Sequence, residues 1–448
     1  MAEKLATVDS PGRGGFDAHH PPSPNLIADC VHCGFCLPTC PTYALWHEEM
    51  DSPRGRIYLM KMVLEGQAPL NPTFVNHIDN CLGCMACVTA CPSGVKYDRL
   101  IEATRAQIER NHPRTLKERL VRKLIFEVFP YPDRLATLLA PMRMYQRSGL
   151  QWLVRKSGIL KMLPDNVRAM EALMPAVEHS TPDGAFPEVL PAEGERRLRV
   201  GLLLGCVQRV FFPEVNAATA RVLVSEGCEV IIPKDQGCCG ALMVHAGEEE
   251  KALDLARQMI NAFDAAQVDA IAINAAGCGS NMKDYAVLLQ DDPKYAERAR
   301  AFSAKCFDIT EILARLEPRA IRHSLPLKVA YHDACHLQHA QNVRQQPRAV
   351  LRTIPGLEIV EVADAALCCG SAGIYNLVRP EAAKELGKLK VRTLLASSPD
   401  LVVSGNPGCL LQLRSEMNQA EKRLPILHTV ELLDAAIRGI SAESLSTR

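Results

Sequence analysis

Short apolar runs alternate with amphipathic segments along the C-terminal half of the chain. "LRVGLLLGC" and "LKVAYHDAC" have the length and composition of buried β-strands, and each run ends in a cysteine. Between such runs, "VNAATARVLVSEG" and "EEEKALDLARQMINAFDAA" place apolar residues three and four positions apart, which indicates helices. Strands and helices that alternate in this way predict parallel α/β sheets.

This pattern occurs twice, and each copy carries four cysteines in the same order. Equivalent cysteines are separated by 129, 130, 130 and 131 residues, in the pairs Cys206 and Cys335, Cys238 and Cys368, Cys239 and Cys369, and Cys278 and Cys409. Four matched positions are hard to obtain by chance. We therefore predict a duplicated cysteine-rich domain over residues 197–323 and 324–448.

The cysteines of each copy occupy positions that suit a site. The first and last follow predicted strand ends, and the pair in "CCG" precedes a predicted helix. Parallel α/β sheets gather functional groups at the carboxyl ends of their strands. A helix N-terminus also stabilises a thiolate, because its unpaired N–H groups carry partial positive charge.

The spacing of apolar residues also predicts helices before the repeats. "LKERLVRKLIFEVF" has the helical period, and "TPDGAFPEVLPAEGERR" is typical of a linker, so residues 111–196 are predicted to form a helical connector. The apolar face of residues 118–163 either packs on its own chain, which we favour, or contacts another subunit. The Gly-, Pro- and Ser-rich residues 1–24 predict a flexible tail.

Composition argues against a nucleic-acid-binding, membrane-spanning or secreted protein. The 448 residues include 18 Cys, and Lys+Arg and Asp+Glu are both 51, so no charge excess argues for nucleic acid. No apolar stretch is long enough for a membrane span, and the start lacks the apolar core of a secretory signal. We therefore expect a cytoplasmic protein, whose many reduced cysteines favour metal or redox chemistry over disulfides.

Eight of the cysteines lie in two runs within residues 25–110. Each run fits C-x2-C-x2-C-x3-C-P, the pattern of a two-cluster ferredoxin-type domain, in which the fourth cysteine binds the other [4Fe–4S] cluster. The predicted ligand sets are Cys30, Cys33, Cys36 and Cys91 for one cluster, and Cys81, Cys84, Cys87 and Cys40 for the other. Structural zinc is disfavoured, because zinc sites usually combine two separated pairs of ligands.

Histidines accompany several of these cysteines. His32 and His47 lie near the first run, but four thiolates already complete each cluster, so we expect them at the surface or beside the ligands. "YHDACHLQH" surrounds Cys335 with His332, His336 and His339, whereas the first copy has no histidine at the matched positions. Metal ligation by these histidines is one alternative, and hydrogen bonding to sulfur is the one we favour.

The cysteines of the repeats leave three interpretations open. They bind one or two further iron–sulfur clusters, they form redox-active thiol pairs, or they only pack as small apolar residues. Matched sets make the packing interpretation the weakest. Cys228 and Cys306 have no counterpart in the other copy and are predicted to be structural.

The stretch "CPTYALWHEEMDSPRGRIYLMKMVLEG", followed by "CLGCMACVTACPSGVKYDRL" and the two "CCG" repeats, resembles the iron–sulfur subunit of glycolate oxidase, also called glycolate dehydrogenase. The resemblance covers about residues 28–440. The "CCG" repeats alone are less specific. They also resemble lactate-utilisation proteins, the anchor subunit of glycerol-3-phosphate dehydrogenase, and the cysteine-rich subunit of heterodisulfide reductase.

The resemblance implies an oxidoreductase complex that acts on a CH–OH group without NAD. FAD-binding partner subunits would oxidise glycolate to glyoxylate, and this chain would pass the electrons to a quinone or another membrane acceptor. It would then lie in the cytoplasm or peripherally on the cytoplasmic face of the inner membrane, held there by its partners. The chain itself shows no G-x-G-x-x-G and no P-loop, so no flavin or nicotinamide site of its own is expected.

The ends of the repeats depart from the relatives, whose repeats often end in C-x-x-C. The earlier position of that pair is Ala275 in the first copy and Asn406 in the second. A five-thiolate cluster of the heterodisulfide reductase type is therefore disfavoured, and with it the alternative that the repeats themselves reduce a disulfide. Four cysteines per copy remain as candidate ligands.

Overall fold

The computed structural model describes residues 15–162, 165–174, 186–420 and 422–446. They form two compact units. The first unit runs to Arg119 and includes residues 245–248, and the second contains the rest of the chain. No helix in the described ranges is long and apolar enough to cross a membrane.

The first unit is built from short helices, and its described residues contain no strand. The helices are α1 (Pro24–Ala28), α2 (Pro41–Trp46), α3 (Pro53–Leu64), α4 (Pro72–Asp79), α5 (Ala86–Ala90) and α6 (Tyr97–Asn111), with a 3-10 turn at Glu49–Asp51. Four of them begin with proline, which suits the first helical position because its missing N–H would have no partner there. Their apolar faces enclose one core, which includes Met60, Ile78 and Leu100 together with Cys81 and Cys87.

Part of the predicted flexible tail is held in place. The backbone N–H of Asp17 donates to Gln107 Oε1 at 2.8 Å, and its carboxylate accepts from Arg110 and Asn111 on helix α6. The Arg110 hydrogen bond, together with those from Asn111 and Gln107, keeps the pKa of Asp17 far below its usual range. The prediction of a flexible tail is therefore wrong for the segment around Asp17. Residues 1–14 lie outside the described part of the chain.

The predicted connector is helical. It contains α7 (Leu116–Val128), α8 (Pro132–Thr137), α9 (Leu139–Arg147), α10 (Leu150–Ser157), a 3-10 turn at Ile159–Met162, and α11 (Asp165–Ala172). Helix α10 buries none of its residues, and Trp152 and Leu153 are more than half exposed. Helix α10 nevertheless contacts α9 of its own chain, and its Gln151 and Arg155 donate to the Glu171 carboxylate of α11, so its exposed apolar side chains are only one part of its surface.

Two parallel sheets of the same topology form the rest of the second unit. The strands are β1 (Val189–Leu190), β2 (Leu198–Leu202), β3 (Cys228–Ile231), β4 (Ala270–Ile273), β5 (Cys306–Asp308), β6 (Lys328–His332), β7 (Glu358–Val360), β8 (Leu401–Ser404) and β9 (Ile426–His428). The strand orders are β1-β3-β2-β4-β5 and β7-β6-β8-β9, and only the short β1 runs antiparallel. Omitting β1, the two orders are equivalent, as the predicted duplication requires.

Helices flank both sheets. In the first repeat they are α12 (Val207–Phe211), α13 (Pro213–Ser225), α14 (Ala241–Ala246), α15 (Glu249–Asp264), α16 (Ala276–Lys283), α17 (Tyr285–Leu288), α18 (Ala296–Ala304) and α19 (Ile309–Arg315). In the second they are a π-helical turn at His336–Ala340, α20 (Gln345–Leu351), α21 (Tyr375–Val378), α22 (Pro380–Ala396), α23 (Pro407–Met417), α24 (Thr429–Ile437) and α25 (Ala442–Ser446).

The two repeats share one hydrophobic core. Val222 of α13 and Leu433 of α24 are both fully buried in it. The Arg221 guanidinium binds the Asp434 carboxylate at 2.7 Å, and His428 Nε2 lies 2.8 Å from the carbonyl oxygen of Asn274. The backbone N–H of Ala276 donates to the carbonyl of Gly405 at 3.2 Å, so the carboxyl ends of β4 and β8 meet.

Candidate metal centres

The first cysteine run lies in a loop between α1 and α2. Cys33 is exposed, Cys30 and Cys36 are half-buried, and Cys40 is buried as the residue that caps α2. The second run follows α4, with Cys81, Cys84 and Cys87 buried and Cys91 half-buried at the end of α5. His32 and His47 are both exposed.

The last cysteine of each run lies with the other run. Burial raises the pKa of Cys30, and the like charges of Cys91 and Cys33 add to the shift. Burial likewise raises the pKa of Cys87 well above its usual value, with added contributions from Cys84, Cys81 and Cys40. Cys36 of the first run contributes to the shift of Cys87 as well, so these neighbours agree with the interlocked ligand sets but do not single them out. The ligand sets themselves stay a prediction.

A buried arginine lies beneath the second run. Arg56 is 1% exposed and donates to the Asp51 carboxylate at 3.0 Å, to Thr42 Oγ1 at 3.1 Å and to the carbonyl of His77 at 2.7 Å. Thr42 Oγ1 in turn lies 3.2 Å from Cys40 Sγ. Burial alone would lower the pKa of Arg56, but the negative charge of Cys81 keeps it above its usual range, so this side chain is a permanent cation.

Cys81 receives several interactions that stabilise negative charge. The Tyr97 hydroxyl and the Gly83 N–H donate to its Sγ at 3.5 and 3.3 Å. Burial alone would raise the pKa of Cys81, but Arg56 and Arg105 lower it below its usual value. A metal-bound thiolate carries this same charge, so the surroundings of Cys81 fit a ligand.

The segment "SPRGR", residues 52–56, positions Arg54 and Arg56. Ser52 caps α3 by accepting from the Gly55 N–H at 3.0 Å. A Cβ on Gly55 would lie 1.9 Å from the carbonyl oxygen of Glu49, so only glycine fits there. Arg54 binds the Glu49 carboxylate and donates to the carbonyl of His32 at 3.0 Å, within the first run. Sequence reasoning recognised this segment as distinctive but missed the roles of Arg54 and Arg56.

The four cysteines of the first repeat converge at the carboxyl end of the sheet. Cys206 follows β2, and Cys278 lies in the first turn of α16, after β4. Cys206 Sγ lies 3.4 Å from Cys238 Sγ. Contact with Cys238, and then burial, raise the pKa of Cys206 well above its usual value. Contact with Cys238 lowers the pKa of Cys239, but contact with Cys278 and burial raise it overall.

The second repeat has the same arrangement. Contact with Cys368, and then burial, raise the pKa of Cys335. Contact with Cys368 lowers the pKa of Cys369, but contact with Cys409 and burial raise it overall. Cys409 lies in the first turn of α23, as Cys278 does in α16. The two predicted sets of four are therefore each brought together.

The glycine of each "CCG" adopts a conformation that other residues avoid. Gly240 and Gly370 have φ angles of +82° and +88°. A Cβ on Gly370 would lie 2.5 Å from the carbonyl oxygen of Ala383. The N–H of Gly240 donates to Cys238 Sγ at 3.4 Å. The glycine therefore turns the chain so that a backbone donor faces the sulfur.

The donor sets fit metal centres better than the alternatives. None of the 18 cysteines forms a disulfide, and those of the repeats other than Cys278 are buried. A disulfide framework is therefore not formed. Clustered buried thiols with raised pKa values are poor nucleophiles, whereas a metal ion removes their protons on binding. Each group of four supplies the sulfur donors that an iron–sulfur cluster uses.

Histidine distinguishes the second repeat. His336 Nδ1 lies 3.5 Å from Cys335 Sγ, and His339 Nε2 lies 3.5 Å from the carbonyl oxygen of Ala366. A ring nitrogen of His332 and the sulfurs of Cys369 and Cys409 all lie within 4.8 Å of one another. Burial lowers the pKa of His332 well below its usual value, so its ring is neutral.

Ala275 and Asn406, which stand where relatives often have the earlier cysteine of C-x-x-C, supply no thiol. Asn406 Nδ2 instead donates to Cys409 Sγ at 3.4 Å, and its Oδ1 accepts from the N–H of Gly277 at 3.3 Å. The Asn406 side chain thus bridges Cys409, the last cysteine of the second repeat, and the backbone next to Cys278, the last cysteine of the first. Cys228 and Cys306, predicted to be structural, lie buried in the hydrophobic cores on β3 and β5.

Family models match most of this architecture. A 4Fe-4S dicluster domain matches residues 27–95, the linker region of the glycolate oxidase iron–sulfur subunit matches 117–174, and a cysteine-rich domain matches twice, at 200–283 and 329–414. The double match confirms the predicted repeat.

Full-length relatives are similar to the chain over nearly all of it. It is 41% identical to the probable glycolate oxidase iron–sulfur subunit of Bacillus subtilis over 413 residues, which are 91% of this chain and 93% of the relative. It is 38% identical to the glycolate oxidase iron–sulfur subunit of Escherichia coli, over 92% of this chain and 95% of the relative. Lactate utilization protein A of an Exiguobacterium species is 29% identical over 53% of this chain.

Proposed function

This chain belongs to the family of glycolate oxidase iron–sulfur subunits, and we propose that it is the electron-transfer component of a flavin-dependent glycolate oxidase. Its partner flavoprotein would convert glycolate to glyoxylate. The chain would receive the electrons and pass them to a quinone or another membrane acceptor. It would be held at the cytoplasmic face of the inner membrane by its partners.

One observation supports the proposal most strongly: the last cysteine of each run lies close to a cysteine of the other run. The charge of Cys91, from the second run, adds to the raised pKa of Cys30, and the charge of Cys40, from the first run, adds to that of Cys87. When bound, two [4Fe–4S] clusters would each accept and release one electron. Sharing cysteines between runs holds two such centres close together, which serves electron transfer and which a purely structural metal site does not need.

The residues around the runs would set the direction of electron flow. Arg56 and Arg105 place positive charge beside Cys81, which favours the reduced form of the centre held by the second run. Cys33 of the first run is exposed, and the neighbouring Val31 and Phe35 expose about two thirds of their surface (68% and 66%). Apolar side chains around an exposed ligand suit a partner that exchanges electrons there.

The repeats would carry one or two further clusters, held by Cys206, Cys238, Cys239 and Cys278 and by Cys335, Cys368, Cys369 and Cys409. Asn406 links the two groups through hydrogen bonds to Cys409 and to the backbone beside Cys278. The alternative, in which the repeats reduce a disulfide, has less support, because Ala275 and Asn406 leave no fifth thiolate and two relatives that match over more than 90% of the chain are glycolate oxidase subunits.

The first test is a reconstitution assay. The partner flavoprotein should oxidise glycolate with a quinone analogue only when the anaerobically purified chain is added. A Cys84→Ser variant is the matched control. Cys84 is buried, so this change leaves the protein surface unaltered and removes one predicted ligand. Equal quinone reduction with the flavoprotein alone, or with the variant, would contradict the proposed role.

A second prediction concerns the connector. Trp152 is 63% exposed on helix α10, which buries none of its residues, so we propose that this face contacts the partner flavoprotein. Replacing Trp152 with alanine should weaken the complex about tenfold, since an aromatic anchor contributes more than about 1 kcal/mol at an interface. The affinity can be measured by titrating the partner, with iron content as a check on the fold. Lys117→Ala, at an exposed position of helix α7, is the control, because Lys156 lies over the Trp152 ring and is not independent of it. Equal affinities for both variants would contradict the contact.

A further inference from the structure

His332 lies at the end of strand β6, three residues before Cys335. Its side chain is 2% exposed. One ring nitrogen and the sulfurs of Cys369 and Cys409 lie within 4.8 Å of one another. Three donor atoms at these separations can converge on one metal centre with little rearrangement, because metal–sulfur and metal–nitrogen bonds in proteins are about 2.0–2.3 Å long.

Neither ring nitrogen of His332 has a hydrogen-bond partner among the described residues. A buried polar group without a partner costs about 1–3 kcal/mol, so its presence needs a reason. The nearby cation does not supply one, because Lys390 Nζ donates to the carbonyls of Asp364 and Ala365. The other two histidines of the motif differ, since His336 contacts Cys335 and His339 contacts the Ala366 carbonyl.

The first repeat provides an internal comparison. Its cysteines lie 129 residues before their counterparts at this point, so the position matching His332 is Leu203, which is 1% exposed in the core. Leucine satisfies the packing of this strand end without any polar atom. Packing therefore does not account for histidine in the second repeat, whereas a metal ion in contact with its ring would.

We propose that His332 is a ligand of the iron–sulfur centre of the second repeat, alongside Cys369 and Cys409. The inference rests on the proposed function, since it requires a cluster in that repeat. It makes the two repeats different in kind: the first has only thiolates, and the second has one neutral imidazole. An imidazole that takes the place of one of the four thiolates makes the centre less negative and raises its reduction potential. The second repeat would then be the more favourable electron acceptor of the two.

The test compares four forms of the full-length chain, purified anaerobically: the unchanged protein, His332→Leu, His332→Cys and His339→Leu. Leucine already occupies the matched position of the first repeat, so His332→Leu should fold. Pulsed EPR of the reduced protein should detect a directly coordinated imidazole nitrogen. This signal should disappear in both His332 variants and persist in His339→Leu. His332→Cys should retain iron and show a lower potential for one centre.

Persistence of the nitrogen signal in His332→Leu would overturn the inference, as would unchanged iron and spectra in that variant. Loss of zinc rather than iron would overturn it as well. A Cys368→Ser/Cys369→Ser double variant separates this failure from that of the proposed function. If its iron content is unchanged, the second repeat holds no cluster. If its iron falls while His332→Leu is unaltered, only the role of His332 is wrong.

Discussion

Replacing Cys91 with serine should remove the cluster of the first cysteine run, although Cys91 belongs to the second. The expected loss is about four irons per chain, together with electron transfer from glycolate to the acceptor. The physical reason is that Cys91 lies close enough to Cys30 to raise its pKa, as Cys40 does for Cys87. Iron and acid-labile sulfide analysis, with EPR of the reduced protein, would measure the loss.

Double variants make this prediction selective. Cys33→Ser/Cys91→Ser should lose no more iron than either single variant, because both changes affect one centre. Cys84→Ser/Cys91→Ser should lose about twice as much, because the changes affect both centres. Cys40→Ser is the mirror control and should behave additively with Cys33→Ser. The opposite pattern of additivity would show that each run binds its own four-cysteine centre.

Replacing Arg56 with leucine should destabilise the first unit by about 3–5 kcal/mol, as expected when one partner of a buried ion pair is removed. The change would leave the Asp51 carboxylate, Thr42 Oγ1 and the His77 carbonyl without this donor inside the core. It should also lower the reduction potential of the centre next to Cys81, because a positive charge is lost there. Thermal unfolding and a redox titration of the intact protein would measure the two effects.

Arg54 offers a matched control for Arg56. It lies two residues away, but its side chain is 27% exposed and pairs with a 41% exposed Glu49. Water already screens such a pair, so Arg54→Leu should cost about 1 kcal/mol or less. Equal losses of stability for the two variants would show that burial of Arg56 does not matter.

Sequence reasoning located the cysteine groups because their spacing is a local property. A cluster ligand loop requires three cysteines at fixed intervals, and a strand end requires an apolar run before the cysteine. Both signals can be recognised in the sequence without knowledge of the fold. The duplication was equally visible, since the matched offsets depend only on position in the chain.

The supporting residues could not be found in the same way. Arg56, Tyr97 and Arg105 matter because long-range packing brings them to Cys81, and nothing in their local sequence announces burial. Asp17 belonged to a segment whose composition indicated a tail, yet it binds a helix some 90 residues away. His332 was noticed in its motif, but its missing hydrogen-bond partners became visible only in the folded chain.

The unequal burial of the cysteines has a consequence for how the protein matures. Cys33 is at the surface, whereas Cys81, Cys84 and Cys87 are each less than 9% exposed. A delivery protein could reach the first run after folding, but the second run and the repeats must receive iron and sulfide before their helices close over them. We therefore expect apo-protein refolded without iron to accept cofactor slowly, at the rate of local opening. Chelators should strip the folded protein in the reverse order, beginning with the centre at Cys33.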